Sequence, residues 1–455
     1  MRPVTEDMRP SRSGLRMLAI ALVVFAASSS RPALAAIVAL AGLILFAWSL
    51  KTSLPQAFGN EHRLASVAAL AVVLGAMMSP FSRIPDSIET VRPLLLALGV
   101  TACGVTFFAG ARLGGKRLAV GLGLLVVLVA TAALVSTEWN SNLGTDIYHA
   151  HRAAGAALIE GENPYTDAVR FFDGSPYRED DRIIEGYPYP PVVLITYGLA
   201  GAFTDPRLIS ALAWLGLLAW MGWRGARFDH GSEVALGAFL ILATLPIWSM
   251  VWYAAWTEPL SLVLLALAAA AWKRRSVVAS VLLGLALSSK QYLVFLAPLV
   301  IFHRDELWLK RLGIAGGTAL ATVVPFLLMD ATGFAASTIG NLADIGFRPD
   351  TQSIPGLLGA FGIEFTVPVW AWLFIGMLIG AFFGIKARSA SMFAGRAGLT
   401  LGVTFIIGLA FANYWVLVAG LLSIAAVLDA HDDSVFQRLA FTRRRSVEAV
   451  TSHLT

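Results

Sequence analysis

Residues 143–165 read LGTDIYHAHRAAGAALIEGENPY, and EGYPYPPVV follows at 185–193. Between Thr145 and Glu160 the apolar residues Ile147, Ala150, Ala154 and Leu158 recur at spacings of three and four. That period predicts a short amphipathic helix. Thr145 or Asp146 can cap its start, and Gly161 can end it. Asp146 and His149 fall on one face of such a helix, and Arg152 continues the row. The sequence on either side is almost entirely apolar, and this contrast fixes the fold class.

Working outward, the chain of 455 residues is 57% hydrophobic and 14% charged, with a mean hydropathy of +0.72. Soluble domains carry roughly a quarter charged residues. Apolar segments fall at 15–28, 33–50, 64–80, 92–110 and 118–136. Others fall at 191–223, 234–253, 257–272, 276–302, 312–329, 367–386, 396–411 and 413–429. Many approach the roughly 20 residues that span a bilayer. The expectation is an all-α polytopic membrane protein with about 12–14 transmembrane helices. The first run follows Arg9, Arg12 and Arg16 but lacks an A-x-A-like cleavage site, so it reads as a retained helix. Four regions result: five spans in 1–136, an external loop at 137–190, a transmembrane core at 191–430 with an external loop at 330–366, and a basic tail at 431–455.

Cys103 is the only cysteine, which excludes a disulfide framework or thiolate metal cluster within the chain. The net charge of +5 comes from basic residues at helix ends, and nothing resembles a nucleic-acid module. The positive-inside rule orients the chain. Arg2, Arg9, Arg12 and Arg16 place the N-terminus in the cytoplasm. Lys51 with Arg63, Arg112 with Lys116 and Arg117, and Lys273 with Arg274 and Arg275 each follow an even number of crossings. Lys310 with Arg311, Lys386 with Arg388 and Arg396, and Arg443 with Arg444 and Arg445 agree, so both termini are cytoplasmic and the polar insert lies outside.

Two segments test this parity. Segment 191–223 needs an odd number of crossings although TDPR breaks it, which suggests a broken or re-entrant helix. Segment 276–302 needs two crossings, and a split at SSKQ leaves halves of about 20 Å against a hydrocarbon core of about 30 Å. Lys290 then sits at membrane depth, where ionisable groups default to function.

Taken alone, these residues have bland readings. Asp146 is a helix cap, and His149 and His151 are surface or interfacial histidines. REDDR (178–182) is a solvated turn, Lys290 a snorkelling lysine, and the tyrosines interfacial anchors. No third histidine or suitably spaced acid makes a metal site. The helix 145–160 is expected to lie along the interface and hold Asp146 near the headgroups.

GTDIYHAHRAAGAALIEGENPY followed by YPYPP resembles the first external loop of GT-C superfamily membrane glycosyltransferases. It is most similar to family 87, the polyprenol-phosphate-mannose-dependent mannosyltransferases. GLALSSKQYLVFLAP (284–298) resembles that family's lysine-bearing segment, and DTQSIPGLL (350–358) its N/Q-S segment. The resemblance covers roughly 140–360. It departs in having five spans before the loop, where relatives often have one, and in WTEPL, where many carry Gln in place of Glu258.

The resemblance implies a GT-C type fold in a bacterial plasma membrane, with the active site on the periplasmic side. It implies transfer of a sugar, with mannose as leading precedent, from a polyprenyl-phosphate donor to a glycolipid or glycan acceptor. Asp146 matches the catalytic acidic position, and no cofactor is implied. Charge on the departing phosphate would be met by Lys290 first and Arg348, in IGFRPDTQS, second. His149, Arg152, Asn163, Tyr165, Tyr189, Glu258, Gln291 and Gln352 are the remaining substrate-binding candidates. The alternative is a transporter or flippase of a lipid-linked sugar, whose charges would cluster near the bilayer midplane.

Overall fold

The computed structural model describes residues 12–29, 31–50, 61–78, 86–138, 146–172, 183–227, 232–243, 254–272, 276–303, 307–343, 346–385 and 389–429. Thr145, the REDDR turn and the tail 431–455 lie outside them. So do Arg2, Arg9, Lys51, Lys273, Arg274, Arg275, Lys386 and Arg388.

The protein is an all-α polytopic bundle. Strand among the described residues is one small hairpin, β1 (Arg170–Phe172) and β2 (Ile183–Glu185), antiparallel with Phe171 opposite Ile184. Seven described helices are long and apolar enough to cross a membrane, among them Pro32–Ser49, Leu113–Ala133, Arg207–Gly225 and Ala412–Asp429. Shorter apolar helices of 10–17 residues accompany them. The five N-terminal segments form α1 (Arg12–Ser28), α2 (Pro32–Ser49), α3 (Glu61–Met78), α4 (Asp86–Ala109) and α5 (Leu113–Glu138).

The polar insert opens with α6, Asp146–Glu160, which ends where the chain turns left-handed at Gly161, φ 77°. Ala150, His151, Ala154, Gly155 and Ala157 form its buried face. That face lies against α7, Pro191–Phe203, where a Cβ on Gly155 would stand 2.0 Å from the Gly198 carbonyl oxygen. Small residues permit this approach of two backbones. The break at TDPR is real. Asp205 accepts from the Arg207 backbone N–H at 2.8 Å, pairs with its guanidinium at 2.6 Å, and starts α8, Arg207–Gly225. Only α8 is long enough to cross, while α7 rests on α6.

After α9 (Ser232–Ala243) and α10 (Glu258–Ala271), segment 276–302 also divides at SSKQ. α11, Ser276–Leu287, has 12 residues, or about 18 Å. Lys290 is extended, a 3₁₀ turn covers Gln291–Leu296, and α12 (Ala297–His303) follows. α13, Trp308–Ala343, bends at Asp330, whose φ of −162° leaves the helical region. Beyond the short α14 (Ile354–Gly359), α15 (Val369–Gly384) buries Gly376 and Gly380 on the Phe295 side, with a Cβ at 380 only 2.2 Å from the Phe295 carbonyl oxygen. Trp370, Phe374, Leu378 and Phe382 on its other side are exposed, as a lipid-facing stripe should be. α16 (Ala390–Ile407) and α17 (Ala412–Asp429) close the bundle.

The basic helix ends meet partners from other helix ends. Arg16 pairs with Asp429, and Lys116 pairs with Glu233 at 2.7 Å and binds Ser232. Arg311 donates to the Trp272 carbonyl at 2.9 Å, and Arg396 to that of Phe383 at 2.7 Å. These contacts tie the starts of α1, α13 and α16 to the ends of α17, α10 and α15, and the start of α5 to that of α9.

Candidate functional site

Asp146 is the first residue of α6, half-buried, and its Oδ1 accepts from the Ile147 backbone N–H at 2.8 Å. Helical spacing does place His149 and Arg152 on its row. Both are exposed, however, and the side chain that α6 turns into the protein is His151, fully buried. The interfacial reading of His151 is therefore corrected. Its Nδ1 accepts from the Tyr187 hydroxyl at 2.7 Å, and its Nε2–H donates to the Ala255 carbonyl at 3.2 Å. A ring with one N–H can serve both partners only in this tautomer. The ring also lies 4.8 Å from that of Tyr197 and 5.7 Å from that of Tyr189.

The turn after α6 builds the tyrosine cluster. Asn163 Oδ1 accepts from the Tyr165 N–H at 3.1 Å, and its carbonyl accepts from the Thr166 hydroxyl at 2.8 Å. Tyr165 is buried against Phe326 and Phe334, and its hydroxyl donates to the Tyr189 carbonyl at 3.0 Å. Asn163 and Tyr165 thus shape the loop that presents Tyr189, where the sequence suggested sugar contacts. Burial first, then the charges of Asp146 and Glu258, raises the Tyr189 phenol well above its usual pKa. Tyr189 therefore stays protonated at ordinary pH.

Over that ring, 4.5 Å from its centre, stands the Lys290 ammonium. Lys290 is 3% exposed, so it does not snorkel. Nor is it a lone cation: Glu258, completely buried at the first turn of α10, accepts from its Nζ at 2.9 Å. The same oxygen, Oε1, accepts from the Tyr292 hydroxyl at 2.9 Å and from Asn413 Nδ2 at 3.0 Å. Its other oxygen, Oε2, is buried without a hydrogen-bond partner among the described residues. Tyr292 and Tyr414 complete an aromatic wall around the ammonium. In such surroundings an ion pair is held together strongly, because breaking it strands a charge.

The remaining candidates divide. Gln291 donates to the Pro188 carbonyl and, at 3.1 Å, to that of Thr338, tying YPYPP to the bent end of α13. Gln352 is 1% exposed and donates to the Ser29 carbonyl at 2.8 Å, while its own carbonyl accepts from Trp415 Nε1 at 3.3 Å. That role is a brace between distant segments. Arg348 forms a two-pronged pair with Asp350, 2.8 Å on each arm, over the Phe411 ring. It lines a cleft of about 130 Å³ with Thr351, Phe365, Thr366, Val369 and Trp372.

Tyr292, Asn413, Tyr414 and Tyr197 belong to this cluster and were not among the sequence candidates. Asn413 and Tyr414 did carry a signal, as polar groups interrupting the final apolar run. Among the described residues no group of three or more His, Cys, Asp or Glu could hold a metal ion. No family model matches the sequence, and neither a curated protein nor a solved structure is significantly similar to it.

Proposed function

We propose that this chain is an integral membrane glycosyltransferase of GT-C type. It would move a sugar, with mannose as the leading precedent, from a polyprenyl-phosphate donor to a hydroxyl of a glycolipid or glycan on the outer face of a bacterial plasma membrane. The observation that carries the reading is the convergence of an acid and a cation on one aromatic ring. The charge of Asp146 helps raise the Tyr189 pKa, and Lys290 stands over the same ring. In the reaction an acceptor oxygen attacks the anomeric carbon as the carbon–oxygen bond to phosphate breaks. The phosphate keeps the bonding electrons, and Asp146 receives the hydroxyl proton. A single displacement inverts the anomeric centre.

The phosphate would meet Lys290 as a donor within a neutral pair. Glu258 engages the ammonium, which has three N–H groups, so hydrogen bonding rather than net positive charge must supply the stabilisation. Arg348, paired with Asp350, is the second candidate beside its cleft. His149 and Arg152, being exposed on α6, are placed to meet the acceptor rather than the buried phosphate.

The buried Lys290–Glu258 pair also suits the rival reading, a carrier of a lipid-linked sugar. Detergent micelles separate the two, since transport has no meaning without compartments. Wild-type protein in detergent is expected to consume a polyprenyl-phosphate sugar in the presence of an acceptor lipid, and Asp146→Asn to reduce that rate at least a thousand-fold while folding normally. Full turnover by the variant removes Asp146 from the base role. No turnover by the wild type with any sugar donor favours the carrier.

A further inference from the structure

We infer that His151 is a positioning residue: it clamps a left-handed turn at Ala255 and thereby delivers Glu258 to Lys290. Ala255 has φ 54°, and among the described residues it is the one non-glycine with positive φ. That conformation is strained for an alanine and persists only where neighbours over-determine it. Here they do. The Ala255 carbonyl accepts from His151 Nε2. The next carbonyl, that of Trp256, accepts from the Tyr197 hydroxyl at 3.1 Å and from Ser210 Oγ at 2.7 Å. Two successive peptide carbonyls are therefore gripped by side chains from α6, α7 and α8. The turn is sealed, since Ala255 and Thr257 are both almost wholly buried.

Directly after the turn, Glu258 begins α10. The direction of its side chain is fixed by where that helix starts, and hence by the turn. His151 is well suited to hold it. Burial pushes its pKa down to about 3, with Lys290's charge adding to this and the Ala255 bond opposing it. The neutral ring keeps a single N–H for the Ala255 carbonyl at ordinary pH. The same helix carries Asp146 five residues earlier, about 7.5 Å along the axis. One rigid element thus sets the proposed base and the Glu258–Lys290 pair relative to each other. The effect on turnover rests on the transferase reading, whereas the clamp itself does not.

The test uses full-length protein in detergent, amine acetylation with an N-hydroxysuccinimide ester, and peptide mass spectrometry. Lys116 is the internal control, being just as buried and paired with Glu233 at a different site. In the wild type and in Ala255→Gly both lysines are expected to stay protected. In His151→Ala, Lys290 acetylation is expected to rise at least ten-fold with Lys116 unchanged. Glycine adopts the left-handed turn without strain, so His151→Ala/Ala255→Gly is expected to restore Lys290 protection and, in the transfer assay, most of the lost kcat. Continued protection of Lys290 in His151→Ala overturns the clamp, and so does failure of Ala255→Gly to restore it. If His151→Ala exposes both lysines through misfolding, recovery of both in the double variant supports the clamp and no recovery overturns it. Should wild-type protein transfer no sugar, the transferase reading falls while the acetylation result still decides the clamp.

Discussion

Lys290 and Glu258 give the residue scale its sharpest consequence. Each neutralises the other where neither can reach water, so removing one strands a buried charge. Lys290→Met is expected to destabilise the protein by about 3–5 kcal/mol, and Glu258→Gln/Lys290→Met to recover much of that loss. Thermal unfolding in detergent checks this, and additive losses in the double variant would mean that the two side chains do not interact. His151 adds a pH dependence. Its pKa in the folded protein lies near 3, below the ordinary 6.5, so its contribution is present above pH 6.5 and is lost as pH falls through that window toward 3. His151→Gln should flatten the fall of melting temperature between pH 6 and pH 4. An unchanged slope would exclude His151 as its source. Of these residues, Lys290 could be read from sequence because a charge inside an apolar run stands out. Its pairing with Glu258 could not, because only the folded chain brings WTEPL to SSKQ. His151 was hidden for the opposite reason: beside His149 in HAH it looked like one of two surface imidazoles, and only the packing of α7 decides which faces inward.

Elements were more legible than contacts, since periodicity and breakers act locally. The helix at 145–160, its end at Gly161, the interruption at TDPR and the split at SSKQ all appear where sequence placed them. What the sequence left open was the pairing of α6 with α7. That pairing depends on bare backbone at the crossing. Gly155→Val is expected to force the helices apart, costing about 1–3 kcal/mol or more, because even a Cβ there would overlap the Gly198 carbonyl. Gly161→Ala meets no neighbour and bears only the left-handed turn, so about 1 kcal/mol is expected. Melting temperatures of the two variants rank them. A Gly155→Val protein as stable as Gly161→Ala would show that α6 does not rest on α7.

For the whole molecule, the question is which face the polar insert occupies. The basic ends of α1, α5, α13 and α16 lock to partners from other helix ends, Arg16 to Asp429 and Lys116 to Glu233 among them. Such pairing fixes the helices up and down relative to one another but leaves the bundle free to be inverted as a body. Only the positive-inside bias chooses between the two orientations. The chain offers a clean test because its one thiol, Cys103, is 1% exposed and should not react with maleimide in the folded protein. Glu162, exposed just after α6, is a suitable reporter. In intact cells with an opened outer barrier, Glu162→Cys should react with a membrane-impermeant maleimide, while the wild type should not. Labelling of Glu162→Cys only after the inner membrane is permeabilised would place α6, Asp146 and the tyrosine cluster on the cytoplasmic side. A donor presented at the outer leaflet could then not reach them, and the periplasmic transfer reaction would have no site.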